Sequence, residues 1–224
     1  MGQLVQSYEL SKLPDAWRIR LTDVLALLPP CRIVICYGSQ WGGIPRMSSD
    51  YDVLVIGDQS LTDQKIVELR RSVRTIWLDV DWRWLSIQGA RANRLINPTL
   101  NWIIQTGCVL GDATLLGEPV PTPILSILGA AQDVMVELED LQQWDDPWGD
   151  DRREYRQLAK RLVVLEQTLS GIADSQKLSE EVQHIMESPD VENLLMRRTE
   201  QVIWQARHMT GNAGDRMLES IIHG

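Results

Sequence analysis

Two aspartates two residues apart, Asp50 and Asp52, lie within the stretch Gly38 to Val55, GSQWGGIPRMSSDYDVLV, and head an apolar run from Val53 to Ile56. An earlier apolar run, Arg32 to Tyr37, stops at Gly38, so two short strands flank a polar, glycine-rich crossing. Alternation along a strand puts Asp50 and Asp52 on one face, with Tyr51 and Val53 on the other. Such paired carboxylates suit a hard cation. Mg²⁺ takes carboxylate oxygens, keeps several waters and is commonly completed by substrate phosphates. The Gly38-Ser39 turn complements them, because a glycine there lets backbone amides come close to a phosphate.

More acids lie downstream. Ile76 to Leu85 (IWLDVDWRWL) reads as a strand from its alternation and its aromatic and β-branched content. Ile76, Leu78, Val80, Trp82 and Trp84 then form one face, leaving Trp77, Asp79, Asp81 and Arg83 on the other. A solvated outer face is one account of those two acids, and a metal site is the other.

Gly38, Ser39, Gly43, Ser49, Asp50 and Asp52 resemble the GS(x)3G(x)5SDxD signature of the polymerase-beta-like nucleotidyltransferases, with all six fixed positions in register over fifteen residues. The minimal and aminoglycoside nucleotidyltransferases are the branches it is most similar to. Trp41-Gly42 stands where relatives often carry small or basic residues. The resemblance implies a third metal carboxylate on the strand after the SDxD pair; Asp81 matches that position best and Asp79 is the runner-up. It also implies two Mg²⁺ ions held by Asp50, Asp52 and Asp81, with an NTP, ATP first among them, as co-substrate. Ser39 would orient the β- and γ-phosphates, and Glu154 lies in the right region for a general base. The helical domains of such relatives offer a lysine to the nucleotide, and Lys160 and Arg161 are the candidates here. The expected reaction is transfer of a nucleoside monophosphate to an acceptor hydroxyl, the acceptor being a small molecule of the aminoglycoside kind. Adenylylation of a partner protein and a non-catalytic nucleotide-sensing module are the alternatives.

The elements that must carry these residues fall into two groups. Ser11 to Leu28 reads as a helix capped by a serine or aspartate and stopped by Pro29-Pro30, and Leu61 to Val73 as a second, with Ile66, Leu69 and Val73 inward. Asn97 to Gly107 reads as a short helix begun by Pro98 and ended by the glycine. CVLGDATLLGEP is similar to the segment that closes family catalytic domains, and Pro119, Pro121 and Pro123 mark the boundary after it. Beyond, Ile124–Trp144, Asp151–Ser170, Ser175–Glu187 and Asp190–Met209 read as amphipathic helices, separated by the acid-rich Asp145 to Asp150, Gly171 and Ser188-Pro189. The expected fold is an α/β nucleotidyltransferase domain with a small mixed sheet over residues 1–120, then an all-α helical bundle over 121–224.

Composition narrows the partners. The net charge of −9 argues against a broad nucleic-acid surface, which needs clustered Lys and Arg, and suits a cationic acceptor. The basic cluster Arg152, Arg153, Arg156, Lys160 and Arg161 falls on one helix, where a solvated face paired with Glu154 is the plainer account. Cys31, Cys36 and Cys108 lack metal spacing and read as reduced structural thiols. No apolar run reaches membrane-spanning length and no signal peptide is evident, so the expectation is a cytoplasmic protein with no membrane association. Nine tryptophans beside no phenylalanine is an unusual balance that sequence alone leaves as large apolar filler.

Overall fold

A computed structural model of the chain describes residues 10, 11, 13–42, 50–118, 121–143 and 151–222, and for 143, 151 and 211–222 the backbone alone. The chain divides into two compact units: 1–94 with 103–120, and 95–102 with 121–224.

The first unit is a mixed four-stranded sheet with helices. Helix α1 (Asp15–Leu27) begins after Pro14, whose fixed φ suits a helix entry and whose position carries no side-chain cap, and the chain turns extended at Leu28 ahead of Pro29. Strand β1 (Cys31–Tyr37) pairs antiparallel with β2 (Tyr51–Gly57). Helix α2 (Asp63–Ile76) is capped by Thr62, whose hydroxyl accepts from the Lys65 amide at 3.3 Å. Strand β3 (Val80–Ser86) runs parallel to β2, and Ser86 caps the short α3 (Ile87–Asn93), which packs on β2 and β3. Helix α4 (Pro98–Thr106), of which only the part from Ile103 belongs to this unit, leads through Gly107 into β4 (Cys108–Gly111) and a 3₁₀ turn (Ala113–Leu116). The strand order is β3-β2-β1-β4.

The strand expected from Ile76 starts at Val80 instead. Leu69, Val73 and Trp77 recur every four residues, so Trp77 completes the inner face of α2 and its amide still bonds the Val73 carbonyl at 2.8 Å. Trp77 is 1% exposed and Leu78 76%, the reverse of the expected faces. Asp79 therefore lies ahead of β3 rather than on it.

One face of the sheet, bearing Val34, Cys36, Val53, Val55, Val80 and Trp82, packs under α1 and α2. Tryptophan does much of the filling. The Trp17 ring meets Trp41, Tyr51 and Trp77 edge-on at centroid distances of 5.9, 4.8 and 5.9 Å, and the Arg20 guanidinium lies 5.8 Å from the Tyr51 ring centre and 5.9 Å from that of Trp77. The other face, Ile33, Ile35, Leu54 and Ile56, is also buried.

The second unit is helical. It comprises α5 (Ile124–Gln143), α6 (Asp151–Leu169), α7 (Ser175–Glu187) and α8 (Val191–Ile222), and no strand occurs among its described residues. Ile127, Ala131, Val134 and Leu138 of α5 meet Leu158, Leu162 and Leu165 of α6, Val182 and Ile185 of α7, and Leu195 and Val202 of α8 in one core. The last helix continues past the expected end at Met209. The acid-rich connector expected at Asp145 to Asp150 lies outside the described residues. Residues 95–102, N-terminal to the proline boundary, belong to this unit: Trp102 Nε1 donates to Gln167 Oε1 at 2.8 Å, and Asn101 Nδ2 to Thr122 Oγ1 at 2.9 Å.

Candidate active site

Register brings the carboxylates together. β2 is flanked by β1 and β3, and Asp52, its second residue, is the register partner of Tyr37 on β1 and of Asp81 on β3. Partners in register share a face, so Tyr37, Asp52 and Asp81 form a row across three strands. Arg83, two residues beyond Asp81, projects on the same face; its Nη2 lies 3.5 Å from Asp81 Oδ2, with both side chains well exposed. The starts of β2 and β3 are tied by the Tyr51 amide donating to the Asp79 carbonyl at 2.8 Å. Asp79 thus contributes its backbone to the ladder, and Asp81 its side chain to the row.

Asp50 is exposed and immediately precedes β2. The expectation that strand alternation carries both Asp50 and Asp52 holds for Asp52 alone, because pairing starts at Tyr51.

The turn after β1 is built around Gly38. Its φ is +83°, in the left-handed region that favours glycine, and its carbonyl accepts from the Trp41 and Gly42 amides at 3.1 and 3.2 Å. A Cβ added there would fall on Asp52 Oδ2 and stand 2.9 Å from Asp52 Cγ. The missing side chain therefore lets the Asp52 carboxylate lie against the turn, a role the motif alone does not show. Ser39 is half-buried in the same turn. Gly43 and Ser49 lie outside the described residues.

Electrostatics couple the row. Burial first, then the charges of Asp52 and Asp81, push the Tyr37 phenol far above its usual value, with Arg83 opposing; Tyr37 stays a neutral hydroxyl at any physiological pH. The Arg83 guanidinium is held above its ordinary value: charge on Tyr37, the largest cause, acts only in strongly alkaline solution, whereas Asp81 and Asp52 act wherever they are ionised, against the opposing effect of burial. Tyr37 and Arg83 were missed by sequence reading. Arg83 carried a signal, its spacing of two from Asp81, whereas Tyr37 needed the β1–β2 register.

Among the described residues, no three His, Cys, Asp or Glu side chains gather closely enough to hold a metal ion by themselves. The pair Asp52 and Asp81 nevertheless fits Mg²⁺, which protein commonly binds through one or two carboxylates and leaves substrate phosphates and water to complete.

Lys160 and Arg161 lie on α6 in the helical unit. Lys160 is half-buried, and Arg161 Nη1 donates to both carboxylate oxygens of Glu137 on α5 at 2.6 Å. Glu154 is exposed on the same helix. No protein-family model matches this chain, and no curated protein matches it in sequence.

Proposed function

We propose that this chain is a Mg²⁺-dependent nucleotidyltransferase of the polymerase-beta-like kind, moving a nucleoside monophosphate from ATP or another NTP to a hydroxyl of a small acceptor. The observation that carries this reading is the side-by-side placement of Asp52 and Asp81, with the Asp52 carboxylate against the Gly38 turn. A triphosphate is repelled by carboxylates unless a divalent cation lies between them, so a carboxylate pair beside a glycine turn suits a metal-nucleotide substrate. Bound Mg²⁺ would lower the acceptor hydroxyl's pKa and offset the charge that develops as pyrophosphate leaves in line.

In this reading Asp52 and Asp81 are the principal metal ligands, with Asp50 added from the segment just before β2. Tyr37, kept neutral, adds no charge of its own to the row, and Arg83 lies beside Asp81. Backbone amides around Ser39 face the β- and γ-phosphates. The expected phosphate ligands Lys160 and Arg161 lie on α6 of the helical unit, where Arg161 pairs with Glu137, and an exposed pair of that kind is worth at most about 1 kcal/mol.

The test is incubation with each α-labelled NTP and Mg²⁺ in a cell lysate. Pyrophosphate release with label in the small-molecule fraction, lost in Asp52→Asn, is expected. Label in a protein band moves the acceptor to a partner protein, and label in RNA overturns the charge argument. Nucleotide bound without pyrophosphate release across a broad acceptor panel would leave a sensing module instead.

A further inference from the structure

Strands β1 and β4 set Cys36 and Cys108 directly opposite each other in an antiparallel ladder. Both side chains join the apolar cluster beneath α1, Cys36 fully buried within it and Cys108 half-buried against it. Opposed residues in such a ladder have Cα atoms roughly 4.5–5.5 Å apart, inside the span of about 4.4–6.8 Å that a disulfide bridges. Gly107 tightens the approach: a Cβ added there would stand 2.5 Å from Ile35 Cγ2 and 3.0 Å from the Cys36 carbonyl oxygen. β4 is an edge strand and Cys108 its first residue, so a small oxidant meets Cys108 before Cys36. The third thiol, Cys31, has Gly57 as its partner on β2.

We infer that Cys36 and Cys108 form a cross-strand oxidation site, which reacts with a two-electron oxidant of the peroxide class and closes to a reversible disulfide. The Cys108 sulfur attacks the peroxide; an S–O bond forms as the O–O bond breaks, and the first water leaves with the Cys108 proton. The Cys36 sulfur then displaces the hydroxyl from Cys108. The S–S bond forms, the S–O bond breaks, and the Cys36 proton departs in the second water. Two thiols thus lose two electrons and two protons to one peroxide. Burial holds the Cys36 thiol far above its usual pKa, with Cys108 adding to the shift, which makes the second step the slower one. Cys36 lies two residues before Gly38, so the bond ties the edge strand to the strand that delivers the candidate site's turn. The oxidation site holds whatever reaction the carboxylates perform.

Intact mass and peptide mapping of the full chain test this after treatment with hydrogen peroxide and alkylation. The expected product is lighter by two hydrogens, has Cys31 alone alkylated, and yields a linked Cys36–Cys108 peptide that dithiothreitol releases. Cys108→Ser should give no internal link and leave Cys31 and Cys36 both open to alkylation once unfolded. Cys36→Ser should leave Cys108 as a sulfenic acid that dimedone captures; should that variant not fold, Cys36→Ala offers the same readout. Recovery of wild-type Cys36 and Cys108 as separately alkylated residues, a link through Cys31, or links only between chains would overturn the inference.

Discussion

Gly38→Ala separates the two demands made on that position. The first is conformational: with φ at +83°, a side chain costs roughly 1–2 kcal/mol. The second is steric, since the new methyl falls on Asp52 Oδ2 and the carboxylate must leave its rotamer, at about 0.5–1.5 kcal/mol. The sum is about 1.5–3.5 kcal/mol, and at about 2–4 °C per kcal/mol for a chain of this size Tm should fall by about 3–14 °C. A double-mutant cycle isolates the steric share. Asp52→Ala removes Oδ2 and Cγ and leaves a Cβ 3.2 Å from the added methyl, so in that background Gly38→Ala should cost about 1 kcal/mol less. Urea denaturation of the four proteins measures the coupling, and pyrophosphate release from Gly38→Ala should fall toward that of Asp52→Asn. An equal cost of Gly38→Ala in both backgrounds would refute the contact and, with it, the reason given for a glycine beside the acids.

Further outcomes follow from other contacts. Asp81→Asn should lower turnover on the scale of Asp52→Asn, about 10²–10³-fold, with Asp79→Asn within a few-fold of wild type; the reverse ranking in a pyrophosphate assay would hand the role to Asp79. Stability should fall as pH rises above 9: burial raises the Cys31 thiol from 9.0 to about 11, so its contribution is complete below the unfolded value and lost on approach to 11, about 3 kcal/mol in all. Cys36 and Tyr37 act in the same sense, so Cys31→Ala should flatten part of that slope in urea titrations, and an unchanged slope would contradict the assignment. Gln167→Ala should cost about 2–4 kcal/mol, because it leaves buried Trp102 Nε1 and the Asp174 amide without their acceptor; a loss under 1 kcal/mol in calorimetry would mean that water replaces it.

The strands around Gly38 and the helices after Pro123 could be read from sequence because each depends on local signals: an apolar run stopped by glycine, or a repeat of three and four residues. Trp77 could not. It fits an alternating strand with Asp79 and Asp81 as well as a helix with Leu69 and Val73, and only packing against Trp17 and Tyr51 decides for the helix. The choice between Asp79 and Asp81 had the same origin, since it depends on which residue of β3 first pairs with β2. Asp50 and Asp52 were legible as a pair, but their separation into a residue before the strand and one within it reflects where pairing begins. The place of residues 95–102 in the second unit was hidden because Gln167 and Thr122 lie far along the chain. The surplus of tryptophan gains a partial physical account in the edge-on contacts beneath α1.

That discontinuity bears on the order in which the chain folds during synthesis. Trp102 emerges from the ribosome 65 residues before Gln167, the acceptor of its indole hydrogen. At about 5–20 residues per second, the interval is on the order of 3–13 s. The strands and the turn that holds Asp52 are all translated by residue 111, so the candidate site's sheet can form while Trp102 still awaits its partner. A chaperone that shields an emerging aromatic segment would have its opportunity in that interval.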